Sequence, residues 1–123
     1  MTVDPVADDI RKFVAEDDGE PIIMLNLLAF DGEEGRATYT EYAGKTFPHL
    51  QRVNGEVLYF GSAQTPLVPD TETQWDAVML VKYPSRSAFL EMVGDPEYQK
   101  ISKLRTAALK DAVLQPTQPW TGA

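Results

Sequence analysis

The sequence predicts an α+β domain in which helices cover one face of an antiparallel sheet. Two runs, PIIMLNLLAF at 21–30 and QWDAVMLVKY at 74–83, are apolar at successive positions. Both faces of these strands must therefore be buried, since a strand with one solvated face would alternate. Helical patterns separate and follow the strands. With 123 residues, the chain is long enough for one modest core.

Composition narrows the possible partners. Nineteen acidic and eleven basic residues give a net charge of -8, which repels phosphate backbones and predicts no nucleic-acid partner. No apolar run approaches the ~20 residues of a membrane span, and the acidic N-terminus does not resemble a secretory signal. We therefore expect a cytoplasmic protein with no membrane partner. Without cysteine, the chain has no disulfide, thiolate nucleophile or cysteine-ligated metal.

Residues 1–20 are predicted to form an N-terminal helix and an acidic link. Apolar residues at positions 6, 10, 13 and 14 fall at helical spacing from Asp4 to about Glu16. Asp4 is the predicted N-cap, with Pro5 at the first helical position. The acidic link 17–20, Asp-Asp-Gly-Glu, then leads into the first strand at Pro21.

The first long helix is predicted from about Arg36 to Val53, after the polar loop 31–35. Pro48 lies inside it, and we expect a kink there because its ring presses on the carbonyl four residues back. Asn54-Gly55 ends the helix in a turn. A second strand follows, over residues 56 to about 63.

The second half of the chain begins with a proline-bearing arm, residues 64–73, and the strand 74–83. Ser85 is the predicted cap of a short helix that ends at Gly94. Asp95 is the predicted N-cap and Pro96 the first position of another helix, which is expected to run to about residue 109 or 110. The last strand is predicted at about 112–117, with a tail at 118–123.

Without the N-terminal helix, the order is βαββαβ, the pattern of ferredoxin-like domains, over residues 21–117. In that topology the first and third strands are central in the sheet, and these are the two strands that are apolar on both faces. Because helices cover one face, the other would be a large exposed apolar patch unless a partner closed it. The sequence therefore predicts a homodimer.

Five segments carry a family resemblance: PIIMLNLLAF, TYTEYAG, NGEVLYFGSA, WDAVMLVKYPSRSAFLEMVGDPEYQ and LRTAAL. Together they resemble the domain of unknown function 1330 family, within the dimeric α+β barrel superfamily. The resemblance spans roughly Pro21 to Thr117 and is most specific in YPSRSAF and DPEYQ. The family usually has two glycines before the second strand, where this chain has Asn54-Gly55. The resemblance implies a barrel dimer with a small-molecule cavity between sheet and helices. Superfamily relatives include cofactor-free monooxygenases, isomerases and haem-dependent enzymes.

Asn26 is the first candidate for a functional site. Its amide has two donor hydrogens and an acceptor in the middle of a buried strand, so it needs partners. It either bonds a neighbouring side chain or water and fixes the strand register, or it contacts a ligand.

A second group of candidates lies on the first long helix. Tyr39, Tyr42, Thr46 and His49 follow at intervals of three, four and three, along one side of the helix, as a cavity wall would require. His49 is the single histidine and could act as a general base, or be a surface residue. We expect no metal site, because no ligand spacing is recognisable.

Arg105 projects from a partly apolar stripe of the last helix. It either pairs with a carboxylate, for which Asp76 is one possibility, or binds an anionic ligand through its planar guanidinium. Tyr98 lies on the same side of that helix. Trp75 belongs either to the core or interface or to the cavity wall.

The leading hypothesis is a homodimer that binds a small organic molecule, as a cofactor-independent monooxygenase or isomerase. The alternative is a non-catalytic binding or accessory module, and a third, haem-dependent role would use His49 as ligand. We expect no cofactor and no metal. The candidate catalytic residues are His49, Asn26 and Tyr42, and the candidate substrate-binding residues are Tyr39, Trp75, Tyr98 and Arg105.

Overall fold

The computed structural model describes residues 3–69 and 72–121. Four helices and four strands occupy this part of the chain, in an α+β arrangement. In chain order they are α1 (Ala7–Ala15), β1 (Ile22–Phe30), α2 (Gly32–Arg52), β2 (Glu56–Ser62), β3 (Ala77–Tyr83), α3 (Arg86–Gly94), α4 (Pro96–Ala108) and β4 (Leu109–Thr117).

The four strands form one antiparallel sheet in the order β2-β3-β1-β4. This confirms the ferredoxin-like order and the central position of the two strands that are apolar on both faces. In the middle of the sheet, Leu25 lies opposite Leu80 of β3 on one side and Gln115 of β4 on the other. These neighbours fix which residues share a face.

Helices lie on one face of the sheet. Along β1, Ile22, Met24, Asn26 and Leu28 are buried, and Ile22 and Leu28 have no exposed surface. Of the alternate residues of β1, Ile23, Leu25 and Leu27 are only half-buried, whereas Ala29 is buried. They belong to the other face, which we call the open face. The apolar residues at its centre are Ile23, Leu25, Leu27, Val78, Leu80 and Val113.

Helices α2 and α4 pack closely and run antiparallel. A Cβ at Gly35 of α2 would lie 2.5 Å from the carbonyl oxygen of Ala108, the last residue of α4, so only glycine permits this approach. At the other end of the pair, Arg52 of α2 is 3.5 Å from the carboxylate of Asp95, just before α4. The two helices thus form a continuous roof over the sheet.

The predicted caps of α3 and α4 are confirmed. The Ser85 hydroxyl accepts a hydrogen bond from the Ala88 N–H at 3.1 Å. The Asp95 carboxylate accepts from the N–H groups of Glu97 and Tyr98 at 2.8 and 3.2 Å. The bond from Tyr98 is the main reason that the pKa of Asp95 lies below its ordinary value of 3.8.

The turn before β2 is also confirmed, with Asn54 in the left-handed region at φ 62°. Helix α2 runs through Pro48 to Arg52, and the kink there stays a prediction. Strand β4 begins at Leu109, earlier than predicted, because Leu109 pairs with Phe30 at the end of β1.

The predicted start of α1 is wrong. The helix begins at Ala7 after Val6, which makes no side-chain capping bond. Asp4, the predicted cap, instead accepts hydrogen bonds from the Thr106 hydroxyl of α4, at 3.0 Å to each carboxylate oxygen. The segment before α1 is thus attached to the end of α4.

Helix α1 packs on α3 through aromatic contacts. The Phe13 and Phe89 rings meet edge to face, with centroids 5.5 Å apart. The Arg86 guanidinium lies 4.7 Å from the centroid of the Phe13 ring and donates to the Phe13 carbonyl at 3.1 Å. Within the described residues, no helix is both long and apolar enough to cross a bilayer.

Candidate functional site

A cavity of about 810 Å³ lies between the sheet and the helices. Residues of all four strands form its floor, and α2, α3, α4 and the segment around Asp4 close the other sides. Its size is within the range of ligand-binding pockets, which is roughly 300–1,000 Å³. Most of the wall is apolar, so the polar groups in it decide what the cavity can bind.

Asn26 lies in the cavity floor, as a ligand contact would require. It is 5% exposed and is paired with Met79 and Leu114, which also line the cavity. The side chain makes one long hydrogen bond among the described residues, from Nδ2 to the Met24 carbonyl at 3.4 Å. Much of the hydrogen-bonding capacity of this buried amide is therefore unused.

Three tyrosines line the roof. The Tyr39 and Tyr42 rings meet edge to face with centroids 5.3 Å apart, and Tyr42 meets Tyr98 of α4 in the same way at 6.3 Å. The hydroxyl oxygens of Tyr42 and Tyr98 are 2.6 Å apart, so one donates to the other. Two hydroxyl protons are present and one is used in this bond, which leaves the second available to an acceptor.

Two of the roof tyrosines, Tyr39 and Tyr98, are poorly suited to act as bases. Burial raises the pKa of both Tyr39 and Tyr98 well above the usual range, and their nearness to Tyr42 adds to the increase. Both side chains are therefore neutral at neutral pH. They can donate hydrogen bonds to a ligand, but they do not provide a phenolate for proton removal.

Thr46 of α2 lines the same cavity, and its hydroxyl oxygen is buried without a hydrogen-bond partner. A helical threonine usually bonds the carbonyl four residues back, as Thr40 does with Arg36 at 3.0 Å. The sequence pattern placed Thr46 on the cavity side but gave it no role. Its unpaired state depends on packing and has no sequence signal.

Arg105 of α4 lines the cavity and is 7% exposed. Its Nη1 donates to the Val3 carbonyl and lies 3.6 Å from an Asp4 carboxylate oxygen, while Nη2 has no hydrogen-bond partner among the described residues. Asp76, one possible carboxylate partner from the sequence, is not the carboxylate beside Arg105. The Asp76 carboxylate accepts from the Phe30 N–H at 2.9 Å, at the end of the central strand.

Two predicted site residues do not line the cavity. His49 is half-buried, with Nδ1 3.2 Å from Nη2 of Arg52 and its ring edge-on to Tyr98 at 6.3 Å. It lies at the side of α2 near the start of α4. Trp75 precedes β3, which begins at Ala77, so the strand alternation does not extend to it.

The mouth of the cavity was not predicted. Phe47, Val57 and Phe60 line the cavity and are 46%, 46% and 54% exposed. Val57 and Phe60 are three residues apart, which in a regular strand would put them on opposite faces. A register shift between Val57 and Tyr59 brings both to the helix side.

The fold is shared with solved structures of distant sequence, which place the chain in the ferredoxin-like α+β class. One is a hydroxynitrile lyase from Passiflora edulis, at 14% identity and TM-score 0.61, covering 80% of this chain and 93% of that one. Another is a putative antibiotic biosynthesis monooxygenase from Bacteroides thetaiotaomicron, at 17% identity and TM-score 0.58, with 81% and 90% covered. These identities show the fold alone.

A much closer structure is the RPA0582 protein of unknown function from Rhodopseudomonas palustris. It is 31% identical with a TM-score of 0.89, and 98% of each chain is covered. The model of the domain of unknown function family DUF1330 matches residues 33–115. The chain therefore belongs to the DUF1330 family, which confirms the resemblance noted in the sequence. No curated protein matches it.

Proposed function

We propose that the chain binds a small, mostly apolar organic molecule in the cavity between sheet and helices. One observation supports this most directly: Asn26, Thr46 and Arg105 are polar, incompletely hydrogen-bonded and gathered around one space of about 810 Å³. A buried polar group without a partner costs about 1–3 kcal/mol. A ligand with matching polar atoms would remove part of that cost.

The wall indicates the shape of the ligand. Phe47, Val57 and Phe60 form an apolar mouth, and the remaining floor is largely methionine, valine and leucine. The free proton of the Tyr42–Tyr98 pair and the Arg105 guanidinium are donors. A ligand that fits has an apolar body toward the mouth and an acceptor oxygen toward these donors.

Binding is better supported than catalysis. A cofactor-independent oxygenation or isomerisation that begins with proton removal needs a base next to the substrate. Among the described residues that line the cavity, Asp4 is the one carboxylate and none is a histidine. The placement of His49 also argues against the haem-dependent alternative. A catalytic role would therefore depend on Asp4, with the tyrosine and arginine donors stabilising an enolate oxygen.

The proposal can be tested with a panel of small aromatic and aliphatic acids and their amides, from butyrate to 4-phenylbutyrate. Thermal shift and calorimetry should find binding at one site per chain. Thr46→Val keeps the side-chain shape but removes the hydroxyl, and we expect about fivefold weaker binding. Thr40→Val, on the exposed side of the same helix, is the control and should bind normally. No binding by any compound would contradict the proposal.

We also infer that the open face packs against the same face of a second copy. At the centre of that face Leu25, Leu27, Val78, Leu80 and Val113 are apolar, with the exposed Gln115 beside Leu25, and Tyr59 next to Leu80 is 55% exposed. A distant structural neighbour, from Bacteroides fragilis, is described as dimeric with a ferredoxin-like fold. Sedimentation at micromolar concentration should give a dimer, and a folded monomer there would contradict the inference.

A further inference from the structure

Arg105 is the one cationic side chain among the described residues that line the cavity. It is almost completely buried, in a chain whose net charge is -8. Its contacts to acceptors come from the segment before α1, through the Val3 carbonyl and the Asp4 carboxylate. This segment thus supplies the counter-charge of the one positive group among the described lining residues.

The pairing of Arg105 with Asp4 is incomplete. The nearest distance from Nη1 to the Asp4 carboxylate is 3.6 Å, which is an ion pair without a hydrogen bond. Both Asp4 oxygens accept from the Thr106 hydroxyl instead, and the Asp4 side chain is 46% exposed. Nη2 of Arg105 is left without a partner. A guanidinium can bind a carboxylate through two parallel N–H bonds, and here that capacity is unused.

Arg86 is a matched comparison inside the same protein. It is 8% exposed, almost the same as Arg105, and its Nε is also without a hydrogen-bond partner. However, its guanidinium is stacked on the Phe13 ring and donates to the Phe13 carbonyl, which fixes α1 on α3. Arg86 does not line the cavity. Both arginines thus leave one nitrogen unpaired, but only the unpaired nitrogen of Arg105 belongs to a side chain that lines the cavity.

We propose that the ligand is a small apolar carboxylic acid, and that its carboxylate binds Arg105 in place of Asp4. This rests on the proposed binding function. A single arginine in an apolar wall matches a monoanion with a planar carboxylate, and offers no second cation for a phosphate dianion. On binding, residues 3 and 4 move off the guanidinium, and both of its outer nitrogens pair with the ligand. Asp4 remains bonded to Thr106 or turns to solvent.

The test compares each acid of the panel with its uncharged amide of nearly the same shape, for example phenylacetate with phenylacetamide, by calorimetry near neutral pH. The wild-type chain should prefer the acid by about tenfold or more. Arg105→Met should lose this preference and bind the amide as before. Arg86→Met is the control and should keep the preference. Asp4→Asn removes the competing carboxylate, so acid affinity should rise about threefold with amide affinity unchanged.

Two further results distinguish a failure of the carboxylate assignment from a failure of the proposed binding function. Wild-type chain that binds amides as tightly as acids would overturn the carboxylate assignment and leave the cavity function standing. If no acid and no amide binds, both are overturned. Should Arg105→Met fail to fold, Arg105→Lys keeps the charge without the planar pair of donors. It should weaken acid binding several-fold and leave amide binding unchanged, and equal acid affinity in this variant would contradict the proposal.

Discussion

The two faces of the sheet are built from the same strands. They differ in that the helix face leaves polar groups without full hydrogen bonding, whereas the open face leaves apolar side chains incompletely buried. On the helix face, Ile22 and Leu28 are fully buried, yet Asn26 between them is incompletely bonded beside a cavity. On the open face, Ile23, Leu25 and Leu27 of the central strand are apolar and half-buried. Such a largely apolar surface suits a permanent, self-complementary partner. A space lined by unused donors suits a ligand that comes and goes.

The largest effect is expected from a charge on the open face. Leu25 lies at its centre, opposite Leu80, and Leu25→Asp would bury an unpaired carboxylate in the proposed dimer. We expect the dimer dissociation constant to rise at least about 100-fold, since such a charge costs several kcal/mol. Sedimentation should then show monomers at micromolar concentration. Lys103→Asp, on the exposed surface of α4, should stay dimeric. A Leu25→Asp dimer of unchanged affinity would place the interface elsewhere.

On the helix face, the next largest effect should come from Leu28→Ala. Leu28 has no exposed surface, so truncation leaves a space that the neighbours fill only in part. We expect the free energy of unfolding to fall by about 3 kcal/mol in urea denaturation. Leu67→Ala, at a fully exposed position, should change it by less than about 0.5 kcal/mol. A loss below about 1 kcal/mol at Leu28 would mean that this end of the helix face is loosely packed.

The difference between the faces also explains what the sequence could predict. Strand position follows from a local pattern, because residues that are apolar on both faces belong in the middle of the sheet. The caps at Ser85 and Asp95 are equally local. The resemblance to the DUF1330 family covers the same region and was confirmed. Dimerisation, in contrast, rests on the open face and stays a prediction.

The cavity could be predicted only in part. Asn26, Tyr42 and Tyr98 were found because burial, helical spacing and residue type point the same way. Trp75 was a candidate substrate-binding residue, but it does not line the cavity, and β3 begins only at Ala77. Phe60 was missed, because the register shift in β2 that turns it inward has no residue signal in the sequence. Such features depend on contacts between distant segments.

A smaller effect, a gain in stability rather than a loss, is expected at the incompletely bonded amide of Asn26 on the helix face. Asn26→Leu replaces an incompletely bonded polar group by an apolar one of similar size. The unliganded chain should gain about 1 kcal/mol of stability, while ligand affinity falls. Urea denaturation and calorimetry measure the two quantities. Gln51→Leu, an exposed amide on α2, should change neither. A clear loss of stability in Asn26→Leu would show that the amide is needed for the fold rather than for a ligand.

The smallest expected effect is on the pH dependence of stability, at the N-terminal cap of a helix on the helix face. Asp95 caps α4, which roofs the cavity, and its backbone hydrogen bonds hold its pKa below 3.8. A depressed folded pKa stabilises the protein above 3.8, and this contribution is lost as the pH falls through the folded value. Asp95→Asn keeps a hydrogen-bond acceptor but takes up no proton. Between about pH 5 and pH 2, the free energy of unfolding of this variant should therefore fall less than that of the wild-type chain. Ser85→Ala removes an uncharged cap and should lower stability equally at each pH. If Asp95→Asn follows the wild-type curve, other carboxylates govern acid unfolding of the helix layer.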